Sequence, residues 1–255
     1  MKLIWYGTAS IALESRGKRI LFDPFVPLRG SDVRTKLTDY LGYRDILVTH
    51  GHFDHIRDLP GLVQKTPAAR IYCTKTPSDT LTKHGVPKHN IRLIRAGESF
   101  TVNGFYIRAF QSRHAELEVT SDVVFSLRLF RYALNLPSSV RDYFGYKENG
   151  ETLMYEIFAD GKTVLLMGSM NLDENTKYPD HCDALVLPYV GYKDNAAQAE
   201  KIIERLKPNK VILDHWDNTF PPLTNTVDTS GIESRYENYE NLQIIKPDYK
   251  TAIEI

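Results

Sequence analysis

A dense group of histidines at the end of one predicted strand constrains this chain more than any other feature. The stretch ILVTHGHFDH holds His50, His52, Asp54 and His55, so three of the eight histidines lie within six residues. The apolar run before the group predicts a buried strand, and Gly51 breaks its pattern. In an extended segment His50 and His52 point to the same side, whereas Asp54 and His55 are expected to open a helix.

Such a concentration of titratable groups is unfavourable at the end of a buried strand unless a cation neutralises it. Imidazole nitrogens and carboxylate oxygens are the ligands expected for zinc, iron or manganese. A single histidine is more often a structural or surface residue, but this group of four indicates a metal site. The sequence therefore predicts a metal site at the rim of a sheet.

Charge, hydropathy and cysteine content exclude several classes of protein. The 32 Lys and Arg residues balance the 32 Asp and Glu residues among 255, so no nucleic-acid partner is expected. No apolar run approaches the roughly 20 residues that cross a bilayer, and the N-terminus lacks the apolar region of a signal peptide. We expect a cytoplasmic protein with no membrane partner. Cys73 and Cys182 lie in apolar runs and are interpreted as buried structural residues.

Short β-branched and aromatic runs separated by turn residues dominate the chain. The first part predicts successive hairpins, with Gly17-Lys18 and Gly161-Lys162 as turn centres, and later strands alternate with helices. No repeat or linker divides the sequence. We therefore expect a single domain over residues 1–255, with sheets lying between outer helices.

Three helices are predicted from apolar periodicity and from start and stop residues. The first covers residues 54–65 and the second residues 78–85. The third lies in DNAAQAEKIIERLKP, where Asp194 or Asn195 is the candidate N-cap and Pro208 ends the run.

The His-x-His-x-Asp-His pattern resembles the metal motif of the metallo-β-lactamase superfamily. KRILFDPF resembles the family's early strand ending in Asp-Pro, QSRHAE the segment that delivers a further ligand, KTVLLMGSM the strand before a bridging carboxylate, and KVILDHWDN the strand that delivers the last histidine. Within the superfamily, the chain is most similar to the branch that contains ascorbate-6-phosphate lactonase. The resemblance implies an α+β fold, an αββα sandwich of two mixed sheets flanked by helices, with two metal positions at one edge.

The resemblance also implies two sets of three metal ligands. The first ligand set is His50, His52 and His114, and the second ligand set is Asp54, His55 and His215. His114 and His215 each follow a predicted strand, which agrees with that assignment. The alternatives are that His114 is an ordinary loop histidine and that His215 packs beside Trp216. The remaining histidines considered, His84, His89 and His181, lie in polar turns and are expected at the surface.

Asp23 and Ser169 are expected beside the metals rather than as ligands. Asp23 ends the run ILFD, and the resemblance implies that it holds a metal-bound imidazole in one tautomer; a surface Asp-Pro turn is the alternative. Ser169 stands where the family has a bridging aspartate, and a neutral hydroxyl is a poor bridge. Asp173 would compensate if its loop turns back. The site is then dinuclear without a bridge, has one well-filled position, or is an inactive remnant.

Zinc is the expected cofactor, at one or two ions per chain, with manganese and iron as alternatives. A zinc-bound water has a pKa near 7 instead of ~15.7, so it supplies hydroxide at neutral pH for attack on a carbonyl or phosphoryl centre. Asp54 is the candidate catalytic residue, because its carboxylate could accept a proton from the water as well as bind a metal.

The substrate is predicted from the segments around the site. Residues 115–150 form a longer stretch than a simple connection needs and are a candidate active-site lid, with an extra core hairpin as the alternative. Arg141 and Tyr143 in that stretch, together with Tyr192 and Lys193, are the candidate substrate-binding residues. Arginines among aromatic rings suit a small anionic molecule.

The predicted function is therefore hydrolysis of a small, anionic ester or lactone by a metal-bound hydroxide. Two alternatives stay open: a phosphodiesterase or nuclease of the same superfamily, and a non-catalytic metal-binding protein. The partner is expected to be a small molecule, and a homo-oligomer is a further alternative.

Overall fold

The computed structural model describes residues 1–115, 145–221 and 224–255. Within these ranges two seven-stranded sheets are present. Their strands are β1 (Lys2–Trp5), β2 (Ile11–Ser15), β3 (Lys18–Phe22), β4 (Asp45–Leu47), β5 (Arg70–Cys73), β6 (Ile91–Leu93), β7 (Ser99–Val102), β8 (Phe105–Gln111), β9 (Leu153–Ala159), β10 (Lys162–Met167), β11 (Ala184–Pro188), β12 (Lys210–Asp214), β13 (Gln243–Ile245) and β14 (Ala252–Glu254). The helices are α1 (Phe53–Ile56), α2 (Leu59–Lys65), α3 (Lys75–Lys83), α4 (Asn195–Leu206) and α5 (Ser230–Tyr236), with short 3₁₀ helices at Leu37–Tyr40 and Lys88–Asn90.

Both sheets change from antiparallel to parallel pairing along their length. The first has the order β14-β1-β2-β3-β4-β5-β6 and the second β13-β12-β11-β10-β9-β8-β7. Pairing is antiparallel from β14 to β3 and parallel from β3 to β6. It is antiparallel from β7 to β10 and parallel from β10 to β13. Consequently β8, β10 and β12 all run in the same direction, as do β3 and β4.

Three groups of buried side chains define the layers. A central core joins the two sheets and includes Phe22 and Leu47 from the first sheet with Ile107 and Tyr155 from the second. A second group lies between the second sheet and α4 and α5, and a third lies between the first sheet and α1 to α3. The layers are therefore helix, sheet, sheet, helix, and the predicted αββα sandwich is confirmed.

The three predicted helices are present with different bounds, and α5 was not predicted. The predicted helix over residues 54–65 is broken into α1 and α2, and Pro60 stands in the first turn of the second piece, a position that proline tolerates because that N–H is unpaired in any helix. Helix α3 begins at Lys75, before the predicted start. Helix α4 is capped by Asp194, whose Oδ1 accepts the Ala197 N–H at 2.9 Å.

The two predicted hairpin turns lie one residue earlier than expected. Their central residues are Arg16-Gly17 and Asp160-Gly161, and all four have positive φ, as a type I′ hairpin turn requires. Both cysteines are buried and free, which agrees with a structural role. None of the helices in the described part of the chain is long and apolar enough to cross a membrane.

Two contacts join the segment between β4 and the histidine cluster to the opposite sheet. The Tyr155 hydroxyl on β9 donates to the Val48 carbonyl at 2.6 Å, and the Leu153 N–H donates to the Thr49 carbonyl at 2.9 Å. Tyr155 is fully buried, and its ring packs on Phe22 with centroids 5.7 Å apart. The start of the histidine cluster is thus held from both sheets.

Replacing Tyr155 with Phe should therefore destabilise the sandwich. We expect the free energy of unfolding to fall by about 1–3 kcal/mol, because the Val48 carbonyl loses a buried donor. Urea denaturation measures the change. The matched control is Tyr106→Phe in the same sheet, where the ring is 46% exposed, and its effect should stay below about 0.5 kcal/mol. Equal effects of the two substitutions would contradict the assignment.

Candidate metal centre

The six predicted ligands meet at one edge of the sandwich. His50, His52, Asp54 and His55 follow β4, whereas His114 follows β8 and His215 follows β12. Strands β8 and β12 run in the same direction, so their carboxyl ends open onto the same edge. Residues far apart in the sequence are brought together because each leaves its sheet on that side.

The first ligand set is compact. One ring nitrogen from each of His50, His52 and His114 lies within 4.8 Å of the others. His50 Nε2 lies 3.1 Å from His52 Nδ1. The ring centroids are separated by 4.8 Å for His50 and His52, 5.1 Å for His50 and His114, and 4.5 Å for His52 and His114. Three imidazoles thus face one small volume.

The second ligand set adjoins the first. Its donor atoms, on Asp54, His55 and His215, also lie within 4.8 Å of one another. Asp54 Oδ2 is 3.0 Å from His215 Nε2 and 3.9 Å from His55 Nε2. The rings of His50 and His55 have centroids 3.9 Å apart, so the two ligand sets are in direct contact.

These separations suit tetrahedral coordination. Ligand atoms bound to zinc at 2.0–2.1 Å in a tetrahedral arrangement lie about 3.3 Å from one another. The 3.1 Å between His50 and His52 and the 3.0 Å between Asp54 and His215 are close to that value. Imidazole and carboxylate donors also match zinc, manganese and iron in type.

The first ligand set consists of neutral imidazoles. Burial, together with the neighbouring histidines, lowers the pKa of His50 well below its ordinary value and the pKa of His52 to about 4. Burial also lowers the pKa of His114, although its hydrogen bond to the Ala115 carbonyl acts in the opposite direction. Neutral rings keep the nitrogen lone pairs that a metal ion needs.

The second ligand set contains an ion pair. Burial alone would raise the pKa of Asp54, but His55 and His215 outweigh it and hold that pKa below its usual range. For His215, burial lowers the pKa, whereas the hydrogen bond and charge of Asp54 raise it to about 9. Without a cation, a proton on His215 therefore balances Asp54 at neutral pH, and a metal ion would take the place of that proton.

Asp23 lies directly behind the cluster. Its Oδ2 is 2.9 Å from His55 Nδ1, which leaves His55 Nε2 facing Asp54. Asp23 also accepts the Thr49 N–H at 2.9 Å and the Thr49 hydroxyl at 2.6 Å. The Thr49 Oγ1 atom is in turn 3.0 Å from His50 Nδ1. Contacts of this kind orient metal-binding rings and select their tautomer.

Thr49 was missed by sequence reasoning, although it directly precedes His50. Thr8 and Asp217 were also missed. His215 has a positive φ of 59°, and its N–H donates to the Thr8 carbonyl at 3.0 Å. The Thr8 N–H in turn donates to both oxygens of Asp217, at 2.9 and 3.1 Å. These bonds fix the strained backbone at His215, and no local sequence signal pairs Thr8 with Asp217.

The turn that carries Ser169 lies beside His114. Gly168 leaves no room for a side chain, since a Cβ there would lie 2.5 Å from Thr49 Cβ and 2.8 Å from the Leu153 carbonyl. The Ser169 hydroxyl accepts the Ala115 N–H at 2.9 Å. The side chain at the bridging position is thus hydrogen-bonded to the backbone next to a candidate ligand.

Asp173 does not join either ligand set. Its carboxylate contacts Arg113 Nε at 3.0 Å and accepts the Asn175 N–H at 3.0 Å and the Thr176 hydroxyl at 3.1 Å. The hypothesis that Asp173 replaces the bridging carboxylate is therefore not supported by its contacts.

The candidate substrate residues are only partly described. Tyr192 and Lys193 follow β11; Tyr192 packs on the second core group and Lys193 is exposed. A Cβ on the neighbouring Gly191 would lie 3.0 Å from Ala115 Cβ, so this loop adjoins the His114 side of the centre. Arg141 and Tyr143 lie outside the described residues, as do residues 116–144 of the predicted lid. His84, His89 and His181 are exposed, as expected.

At the described ends of the predicted lid the chain contacts the core. Ala115 is buried in the second core group. Tyr146 packs on Phe53, with ring centroids 5.4 Å apart, and the Lys147 carbonyl lies against Gly51. Gly51 is required in the histidine motif because a side chain there would collide with that carbonyl.

Two solved structures with the same architecture are hydrolases by name. Igni18, a metallo hydrolase from Ignicoccus hospitalis, has a TM-score of 0.64 at 20% identity, covering 100% of this chain and 98% of that chain. An isothiocyanate hydrolase from Delia radicum gut bacteria has a TM-score of 0.60 at 16% identity, covering 100% and 99%. At these identities the likeness shows the fold, which is the metallo-β-lactamase fold.

The family is shown by sequence. Residues 18–216 match the family model described as the beta-lactamase superfamily domain, and the chain belongs to this superfamily. A UPF0173 metal-dependent hydrolase of Staphylococcus aureus is 32% identical over 116 residues, which are 44% of this chain and 48% of that protein. The chain spans about half the length of the curated relatives it matches.

The proton on His215 gives a test of the second ligand set. We expect zinc binding there to release about one proton at about pH 6, where a water ligand of zinc stays neutral. Because the pKa of His215 is raised to about 9, affinity should rise about tenfold per pH unit up to about pH 7, above which a zinc-bound water also loses its proton. The measurement is a calorimetric titration of zinc into His52→Ala protein, in which only the second ligand set is complete. Repeating it in buffers of different ionisation enthalpy gives the number of protons released per zinc ion.

The control is the same titration of His215→Ala protein, which retains the first ligand set. The pKa values of its three imidazoles are all lowered, so fewer protons should be released than in the His52→Ala protein. Equal proton release by the two variants would show that the proton does not come from His215.

Proposed function

We propose that this chain is a metal-dependent hydrolase that binds zinc through the first and second ligand sets and cleaves a small anionic ester or lactone. The observation that carries the proposal is the pair of adjoining donor groups, each with ligand atoms within 4.8 Å of one another. The names of the similar proteins, metal-dependent hydrolase and metallo hydrolase, support it.

The chemistry divides between the metal and the side chains. A bound divalent ion lowers the pKa of a water ligand from ~15.7 toward 7 and polarises the substrate oxygen. Asp54 accepts a proton from the attacking water through the carboxylate oxygen that does not face His215. Asp23 keeps His55 in one orientation through the 2.9 Å contact to Nδ1, and Thr49 does the same for His50.

The substrate is proposed to bind beside His114, where the loop containing Tyr192 and Lys193 adjoins Ala115. The exposed Lys193 ammonium attracts an anionic group, and the Tyr192 ring contributes an apolar wall. Arg141 and Tyr143, outside the described part of the chain, remain candidates for the same role. Residues 115–150 remain a candidate active-site lid, of which residues 116–144 lie outside the described part of the chain.

Five of the more detailed predictions from the sequence stay predictions. They are the likeness to the ascorbate-6-phosphate lactonase branch, zinc in preference to manganese or iron, the cytoplasmic location, the single domain and the homo-oligomer. The neutral Ser169 favours one second candidate, a non-catalytic metal-binding protein. A screen of lactones, thioesters and phosphodiesters with zinc-loaded protein separates that candidate, and the phosphodiesterase alternative, from the proposed hydrolase.

Removing one ligand tests the proposal directly. His52→Ala protein should lose the zinc ion of the first ligand set, and hydrolysis should fall by more than roughly 100-fold, since even indirect partners of a metal contribute 10- to 100-fold. Metal analysis after purification without chelator and an assay on the preferred substrate measure both effects. His84→Ala, an exposed histidine outside both sets, is the control. Full metal content and full activity in His52→Ala protein would refute the ligand assignment.

Lys193 tests the substrate class. Replacing it with Ala should raise KM for an anionic lactone about two- to fivefold, the size of an exposed ion pair, and leave kcat unchanged. An uncharged lactone should show no change in KM. Lys201→Ala, an exposed lysine on α4, is the matched control. If KM for both lactones is unaffected in Lys193→Ala protein, Lys193 does not contact the substrate.

A further inference from the structure

Two loops beside the first ligand set are tied together by side-chain hydrogen bonds. One loop, residues 112–115, follows β8 and presents His114; the other, residues 168–171, follows β10 and contains Ser169. The Ser112 hydroxyl donates to the Asn171 carbonyl at 2.7 Å. The Asn171 side-chain amide donates to the His114 carbonyl at 3.4 Å, and the Ala115 N–H donates to the Ser169 hydroxyl at 2.9 Å.

Two of the three bonds act at the ligand or directly beside it: the Asn171 amide bonds the His114 carbonyl at 3.4 Å, and the Ser169 hydroxyl bonds the N–H of the next residue at a shorter 2.9 Å. Ala115 directly follows His114, and both Ala115 and Ser169 are buried, with 8% and 6% exposure. A buried N–H without an acceptor is unfavourable, so this bond restrains the backbone that sets the direction of the His114 ring. The Ser112 bond, by contrast, acts two residues before His114.

We propose that Ser169 is a positioning residue that fixes His114 for metal binding, in place of a carboxylate that would bridge two metals. The proposal rests on the proposed function, because it assigns His114 to the first ligand set. The serine hydroxyl holds the Ala115 N–H and contributes no charge between the two sets. Its effect is therefore confined to the first ligand set, and the two sets bind zinc without a shared protein ligand.

The bond itself can be tested without metal. In metal-free protein, hydrogen exchange of the Ala115 amide is expected to be slow, and Ser169→Ala should make it at least roughly tenfold faster, because the buried N–H loses its acceptor. Ser169→Thr keeps a hydroxyl and should restore most of the protection. Unchanged exchange of the Ala115 amide in Ser169→Ala protein would overturn the proposal whether or not the protein binds zinc.

The metal effect is tested one ligand set at a time. In a His215→Ala background only the first ligand set is complete, and Ser169→Ala should weaken zinc binding there roughly 10- to 100-fold, measured by competition with a chromogenic chelator. In a His52→Ala background only the second ligand set is complete, and Ser169→Ala should change affinity less than about twofold.

Ser112→Ala is the matched control for general loosening of the two loops. It removes a buried hydroxyl from the same pair of loops, but one that is not bonded next to His114, so it should weaken the first ligand set less than Ser169→Ala does. Equal losses in the two variants, or equal losses in both ligand sets, would overturn the positioning role. Absence of zinc binding by wild-type protein would instead refute the proposed function, and the exchange measurement would still decide the role of Ser169.

Discussion

The buried carboxylate of Asp23 is the contact on which the rest of the metal centre depends. One oxygen receives the Thr49 N–H, and the other lies within hydrogen-bond distance of both the Thr49 hydroxyl and His55 Nδ1. Through Thr49 the same network reaches His50 Nδ1 at 3.0 Å. One acid at the end of β3 therefore orients a ring in each ligand set. Asp23 itself adopts a positive φ of 44°, a strained backbone that the surrounding bonds hold in place.

Three buried carboxyl groups lie behind the second ligand set. Asp23, Asp214 and Asp217 are all at least 97% buried on this side, whereas the neutral Ser169 lies beside His114 of the first ligand set. Burial raises the pKa of both Asp214 and Asp217, well above the usual value for Asp214. Among the described residues, Asp214 Oδ1 has no hydrogen-bond partner. Such an arrangement is costly in an apolar interior, and nearby cations would offset that cost.

The αββα layers and the two ligand sets were predicted from the sequence through its resemblance to the metallo-β-lactamase superfamily, and the local patterns along the chain agreed with that prediction. The ligand groups stand at the ends of apolar runs, and strand direction alone carries His114 and His215 to the edge that holds His50. The supporting contacts were not predictable in the same way. Thr8 and Asp217 are separated by 209 residues, and Ser169 acts on Ala115 across a separation of 54. The first pair depends on how the two sheets pack and the second on the order of strands within the second sheet, and apolar periodicity specifies neither.

The two ligand sets differ in donor type. The first offers three imidazoles whose pKa values are lowered, a donor set suited to zinc, copper, iron or nickel. The second contains the carboxylate of Asp54, which adds an oxygen donor and a negative charge and so also suits manganese. A bridging carboxylate would couple the two positions, but the side chain at 169 is a serine whose hydroxyl is bonded to Ala115. The donor types therefore allow each position to select its own metal, and the pair need not hold two identical ions.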